Sequence, residues 1–293
     1  MRRWRLIVVV FATVAILWLM RTASPPRPIQ EIEPARPAEA LLGSAFDAKQ
    51  SGELRCRATW DGPPPNVEPI SIRQSAYRVD GKSEVPNPNA PRVSKEKGLA
   101  DCVVSLKKVD FTRCKAWNLP PVSVEPTIAQ LKVKQGDRVG GIGVVRRGEP
   151  IELIAREDAK HSLRGRGAAF FTQMLFAVNE PVRRELSGSG VVELSSGSGY
   201  FWHRGYLVVS DHPYVGVTDE SGVAILTGVP AGDYEAIFWK ANWHMASLDR
   251  DPELIRYVRM HFHEPVQKLA KVRLNASEKN EVDVTFAAND FKP

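Results

Sequence analysis

An all-β chain of β-sandwich type is the fold class this sequence predicts, and three observations carry the prediction. The stretch Asp211 to Trp239 (DHPYVGVTDESGVAILTGVPAGDYEAIFW) alternates apolar and polar residues around two breaks rich in Gly, Pro and Asp. Short apolar segments separated by turn residues recur along the chain, and helical periodicity is scarce. At 293 residues and 43% hydrophobic content, the chain can bury one or two ordinary cores.

The elements follow in order. Arg2, Arg3 and Arg5 form a basic leader to Leu6–Met20, fifteen residues without a charge, closed by Arg21. This order reads as an export segment. A small-x-small cleavage site would need Arg21 at the third position before a cut after Ala23, or Pro25 directly after a cut following Ser24. An uncleaved signal anchor over residues 1–23 is therefore expected in preference to a cleaved signal peptide. Fifteen helical residues reach about 22 Å across a ~30 Å hydrocarbon core, with Trp4, Arg5 and Arg21 able to meet the interfaces. The basic leader puts the N-terminus in the cytoplasm. The rest of the chain is then exported, anchored in the inner membrane facing the periplasm, or at the cell surface. Residues 24–51, with five prolines between Ser24 and Glu39, read as an extended linker.

Glu53–Trp60 reads as the first strand, closed by Asp61-Gly62-Pro63-Pro64-Pro65, and Cys102–Leu106 as the second after a long polar loop. Strands are expected next at Val122–Glu125, Gln130–Val133, Gly143–Arg146, Ile151–Ala155, Val191–Leu194 and Tyr206–Ser210. Val215 and Val217 then lead into the turn Thr218-Asp219-Glu220-Ser221-Gly222, and Ala224 and Leu226 lead out, the pattern of a hairpin. Gly228–Gly232 breaks the pairing, and Tyr234, Ala236 and Phe238 alternate into a strand ending at Trp239. A short helix is expected at Asp251–Arg256, with strands at Tyr257–Phe262, Lys271–Leu274 and Val282–Phe286.

The formal charge of +6 does not signal nucleic-acid binding. Five of the 40 Lys and Arg residues precede residue 28, where no acid occurs, which leaves 35 bases against 34 acids in the rest. A local basic group, Arg146, Arg147, Arg156, Lys160, Arg164 and Arg166, is interleaved with Glu149, Glu152, Glu157 and Asp158. It reads as solvated strand edges, with an acidic polysaccharide as the alternative partner. No G-x-S-x-G elbow, Walker loop, dinucleotide-binding glycine pattern or H-E-x-x-H occurs, so no enzyme activity and no cofactor are expected. Three cysteines leave three possible bonds, and if any pair forms it is expected between Cys56 and Cys102, which lie in predicted core strands, while Cys114 lies in a polar segment.

Several segments resemble a bacterial family of exported proteins that combine a cupredoxin-like sandwich with a carboxypeptidase regulatory-like (transthyretin-like) sandwich. The matching residues are Arg57-Ala58-Thr59-Trp60-Asp61-Gly62-Pro63-Pro64, Val103-Val104-Ser105-Leu106, Arg147-Gly148-Glu149-Pro150-Ile151-Glu152 and Tyr206 to Trp239. The resemblance implies two β-sandwiches behind the N-terminal anchor helix. Residues 52–110 and 211–286 would form the regulatory-like sandwich, and residues 111–210 a cupredoxin-like unit inserted in it. Copper-binding cupredoxins take an upstream His and a Cys, His and Met from one loop, since two imidazoles and a thiolate make the copper plane. By that register His161 holds the upstream position, while Gly197, Tyr200 and His203 stand where the Cys, His and Met belong. A blue-copper site is not expected.

His161 and His203 remain a candidate metal pair, and Tyr200, Trp202 and Tyr206 a candidate glycan-stacking platform. His261 and His263, two apart on one strand, and His244 form a second, weaker metal candidate. The expected function is a non-catalytic extracytoplasmic module, tethered to the membrane, that binds a cell-surface protein or polysaccharide or serves a structural role. The alternatives are a carbohydrate-binding accessory domain related to polysaccharide-lyase sandwiches and a divergent metal-binding or redox cupredoxin.

Overall fold

The computed structural model describes residues 43–291, apart from 74, 76–78, 80, 82, 254 and 255. The expected signal anchor and the first part of the linker lie outside these residues. Among the described residues no helix is long and apolar enough to cross a membrane, and the helical structure consists of three-residue 3-10 turns.

Strand β1 (Ser51–Asp61) is the centre of a three-stranded sheet, antiparallel to β16 (Val223–Pro230) and parallel to β21 (Lys279–Ala287). Its period of two buries Leu54, Cys56, Ala58 and Trp60. A four-stranded sheet in the order β15 (Val215–Val217), β4 (Val103–Lys107), β17 (Gly232–Lys240), β20 (Val266–Leu274) adds Val104, Leu106, Ala236 and Phe238 to the same apolar cluster. Trp60, Trp243 and Phe291 close this core as an aromatic group, with ring centroids 4.4–5.9 Å apart.

Residues 122–210 form a second pair of sheets with their own core. One is ordered β12 (Val182–Glu185), β9 (Pro150–Leu153), β5 (Val122–Pro126), β6 (Leu131–Gln135), β7 (Arg138–Gly140). The other runs β11 (Phe171–Leu175), β10 (His161–Gly167), β13 (Gly190–Ser196), β14 (Gly205–Ser210), β8 (Ile142–Arg146). Val124, Val133, Leu153, Leu163, Leu194 and Leu207 fill the space between them. Every residue of β14 is buried, because its two faces serve different cores. Leu207 and Val209 point into this second core, whereas Tyr206 and Val208 join Val103, Val144 and Trp239 in a third cluster that connects the two sandwiches. Gly143, on neighbouring β8, is held small: a Cβ there would come within 2.9 Å of Val122 and Val133 methyls.

Two short hairpins complete the fold, β2 (Ile70–Ser71) with β3 (Glu84–Val85), and β18 (Met245–Asp251) with β19 (Arg256–Phe262). The helix expected at Asp251–Arg256 is not formed: Asp251 ends β18, Arg256 begins β19, and residues 252–253 turn between them. The polar run there serves a hairpin tip, where Asp251 Oδ1 accepts from Glu253 N at 2.9 Å.

The expected hairpin around Thr218–Gly222 is also corrected. The turn itself is present, with Asp219 Oδ1 accepting from Ser221 N and Val223 N at 2.9 and 3.0 Å and Gly222 at φ +80°. The flanking strands, however, belong to different sheets, since β15 pairs with β4 and β16 with β1. The segment is thus a corner between sheets, and a tight polar turn carries the same local signal in either role.

Candidate functional site

Three connections meet at one end of the 122–210 sandwich: the β5–β6 turn, the β9–β10 connection and the β13–β14 loop. Thr127 closes the first, its backbone N–H donating to Gln130 O at 2.9 Å. Glu157 in the second accepts the backbone N–H of Ile128, which ties it to the first. His161 begins β10 directly after this connection. The third contributes Tyr200, Phe201, Trp202, His203 and Arg204, all buried.

The structure brings His161, Tyr200 and His203 together. The Tyr200 ring centroid is 5.3 Å from that of His161 and 5.0 Å from that of His203, against which it stacks with an interplanar angle of 16°. Trp202 meets both Tyr200 and His203 edge-on, and its Nε1 donates to Ala129 O at 3.1 Å. The β18–β19 hairpin lies over the loop. Phe201, Trp202 and Met260 share a cluster with Ile72 and Val85 from the β2–β3 region. Arg204 donates to Met260 O, pairs with Glu193 and sits 5.3 Å from the Phe262 ring, and Arg259 pairs with the same Glu193 at 2.9 Å.

Both imidazoles are 1% exposed. None of their four ring nitrogens makes a hydrogen bond of full geometry, although His161 Nε2 lies 3.5 Å from Glu157 Oε1. Burial pushes His203 down to about 3 from an ordinary 6.5. The nearby backbone of Ile128 and Thr127 opposes the shift, while the neighbouring His161 ring adds to it. Burial also lowers His161, against the opposing pull of Glu157. Two neutral imidazoles flanking a tyrosine ring under a lid of aromatic residues are the chemical content of this end of the sandwich.

These residues do not fit a type 1 copper ion. The position that the resemblance registers to the thiolate is Gly197, where a Cβ would lie 2.6 Å from Ser162 Oγ and 3.1 Å from Arg164 Nε, so a ligand side chain there would have to displace those β10 side chains. The three cysteines are all free thiols in the core of the other sandwich. Among the described residues no group of three or more His, Cys, Asp or Glu is placed to hold a metal ion. His161 and His203 are the nitrogen donors at this end, with Tyr200 beside both.

The candidate glycan platform is corrected. Tyr200, Trp202 and Tyr206 are 0%, 3% and 8% exposed, so their faces are covered by protein. Tyr206 lies on β14 in the seam between the sandwiches, 5.1 Å from Trp239. The apolar length of the loop reflects the hairpin folded over it.

Cys56 and Cys102 share one core as free thiols. Burial raises each to about 12, and the charge of Cys56 is among the causes at Cys102, which places the two near one another. Asp211 accepts from Ser189 Oγ at 2.5 Å and pairs with Arg147 at 2.6 Å, while His212 Nδ1 accepts from Tyr214 N at 3.2 Å. Within the basic group, Arg156 pairs with Glu125 at 2.6 Å, Arg146 with Glu149 at 3.5 Å and Arg147 with Asp211, while Arg166 lies 6.0 Å from the Phe170 ring. His261 bonds Asp249 at 2.7 Å, and His244 lies against Trp243 with ring centroids 4.9 Å apart. The group of buried Arg204 with half-buried Glu193 and Arg259 carries no local sequence signal, because β19 is distant in sequence from β13 and β14.

No protein-family model matches the chain, and no curated protein matches it. Among solved structures it is similar to a copper-containing nitrite reductase from Thermus scotoductus SA-01, at 16% identity and a TM-score of 0.26, over 33% of this chain and 24% of that one. It is also similar to a reduced amicyanin variant, at 11% identity and a TM-score of 0.21, over 36% of this chain and 98% of that one. The chain thus spans about a quarter of the nitrite reductase's length.

Proposed function

We propose that the chain is an exported, non-catalytic binding or structural module in which a cupredoxin-like unit has lost its redox centre. In this reading residues 111–210 are the cupredoxin-like unit, inserted between the two halves, 52–110 and 211–286, of a carboxypeptidase regulatory-like sandwich. The partition of strands supports it: β5 to β14 build one pair of sheets, and β1, β4, β15–β17, β20 and β21 the other. Residues 1–23 hold the module to the membrane, the 24–51 linker spaces it from the surface, and its loops meet a cell-surface protein or polysaccharide.

The observation that carries the reading is the β13–β14 loop, where Tyr200 and His203 are buried and Gly197, Tyr200 and His203 are the residues that the resemblance registers on the copper-ligand loop. A thiolate in the copper plane is what a blue site needs, and here no sulfur ligand is within the loop. Voltammetry of the full chain after copper addition tests the loss of electron transfer: a reversible one-electron wave would overturn it. Cell fractionation with N-terminal sequencing tests the tether. Membrane-bound protein that retains its first residues is expected, and a mature N-terminus between Thr22 and Pro28 would remove the anchor from the account.

A further inference from the structure

At the seam between the sandwiches lies a cavity of about 40 Å³, lined by Asn89, Asp101, Gly141, Arg204, Tyr206 and Lys240 among others. Lys240 and Arg204 are both 3% exposed. Lys240 Nζ donates to Ala100 O at 2.9 Å and Asp101 O at 3.3 Å, which uses two of its three protons. Asn89 Nδ2 donates to Tyr206 OH at 2.9 Å and to Asn242 O at 2.8 Å, leaving the tyrosine's own proton to donate elsewhere. Arg204 Nε is buried without a hydrogen-bond partner. Arg204 Nε therefore lacks an acceptor, and Lys240 and Tyr206 each keep one proton beyond the bonds named.

The charge around the cavity is unbalanced in the same sense. Asp101 already serves Arg92, at 2.8 Å, and also faces Lys240 and Arg138. Glu193 is shared by Arg204 and Arg259. Of the charged side chains that line the cavity, Lys240 and Arg204 are cationic and Asp101, which Arg92 also engages, is the carboxylate. A buried charge left without a counter-charge costs several kcal/mol in a protein interior.

We infer that this cavity binds a single small monovalent anion of the halide class, held by Lys240, Arg204 and the Tyr206 hydroxyl, which fastens the two sandwiches together. The volume exceeds the roughly 10–15 Å³ that one water needs, so a monatomic ion fits. The wall is contributed by both sandwiches, with Arg204 and Tyr206 from one and Lys240 from β17 of the other, so the anion would bridge them.

Thermal unfolding of the full chain in detergent at fixed ionic strength, with sodium chloride replaced stepwise by sodium gluconate, tests the inference. Chloride is expected to raise Tm saturably, by about 2–4 °C at concentrations several-fold above its dissociation constant. Lys240→Met should abolish the chloride response. Because that variant removes a buried charge and can fail to fold, bromide-soaked crystals of the unaltered protein give a second readout: an anomalous peak within hydrogen-bond distance of Lys240 Nζ and Arg204 Nε supports the site. Equal Tm in both salts, with density for water alone or with a bromide peak that is an adventitious ion only, overturns it.

Discussion

Lowering the pH from 7 to 5 should destabilise the protein through His203, and the effect can be worked from its environment. Burial holds His203 neutral in the fold, with its pKa at about 3, whereas an unfolded chain protonates the same ring near 6.5. Between those values the unfolded state binds the extra proton. Stability contributed by this group is therefore fully present above pH 6.5 and is lost as pH falls toward 3. The slope is about 1.4 kcal/mol per pH unit, which gives roughly 2 kcal/mol at pH 5 and a drop of about 4–8 °C in Tm for a domain of this size. His161 and His212 are lowered by burial too and act in the same direction. The pH window isolates the histidines: Asp101, Glu125 and Asp219 are held below their ordinary values, so their contributions fade only in more acid solution. The assay is denaturation of wild type and His203→Phe at pH 7 and pH 5. The phenyl ring keeps the stacking partner of Tyr200 and removes the titrating group, so the variant should lose about 2 kcal/mol less over the interval. Identical losses in the two proteins would refute the argument.

Three further outcomes follow from the cores. Tyr214 is fully buried, with its hydroxyl donating to Gly228 O and accepting from Lys115 N at 2.8 and 2.9 Å, so Tyr214→Phe should cost about 1–3 kcal/mol in urea unfolding, and no change would contradict that role. Gly222→Ala places a Cβ 2.3 Å from Ala58 O at a positive φ and should destabilise by more than the ~1–2 kcal/mol of the backbone conformation alone; an equally stable variant would rule out the corner as drawn. Burial raises Cys56 and Cys102 to about 12 and Cys114 to about 11, so all three should resist maleimide at pH 7 in the folded protein and react after denaturation. Denatured, unreduced protein that labels only at Cys114 would instead identify a Cys56–Cys102 disulfide.

Local patterning made much of the fold legible. Leu54, Cys56, Ala58 and Trp60 alternate cleanly into one core, and Tyr234, Ala236 and Phe238 do the same from the facing sheet. Strands whose outward residues are charged were harder to see: β10 reads His-Ser-Leu-Arg-Gly-Arg-Gly, with Leu163 as its single large apolar residue, and β12 is mostly exposed. Sheet assignment at the Thr218–Gly222 corner was not legible, because pairing there is decided by β1 and β4, far away in sequence. At the candidate site, the residue types named His161, Tyr200 and His203, and folding brought the three together. What sequence could not convey was the cover: β18 and β19, more than forty residues downstream of Tyr200, turn an apparent aromatic platform into interior. The polar seam was hidden for the same reason, since Lys240, Arg204 and Asn89 meet only through tertiary contact.

The central claim is that the loop end of the 122–210 sandwich holds a sealed His161–Tyr200–His203 group in place of a copper–thiolate centre. Titrating the full chain with Cu(II) and recording its visible spectrum tests this most directly, because only a thiolate in the copper plane gives the intense charge-transfer colour of a blue site. The account predicts no such band, and any copper held here should be weakly coloured and lost in both His161→Ala and His203→Ala. An intense thiolate-to-copper band would contradict it.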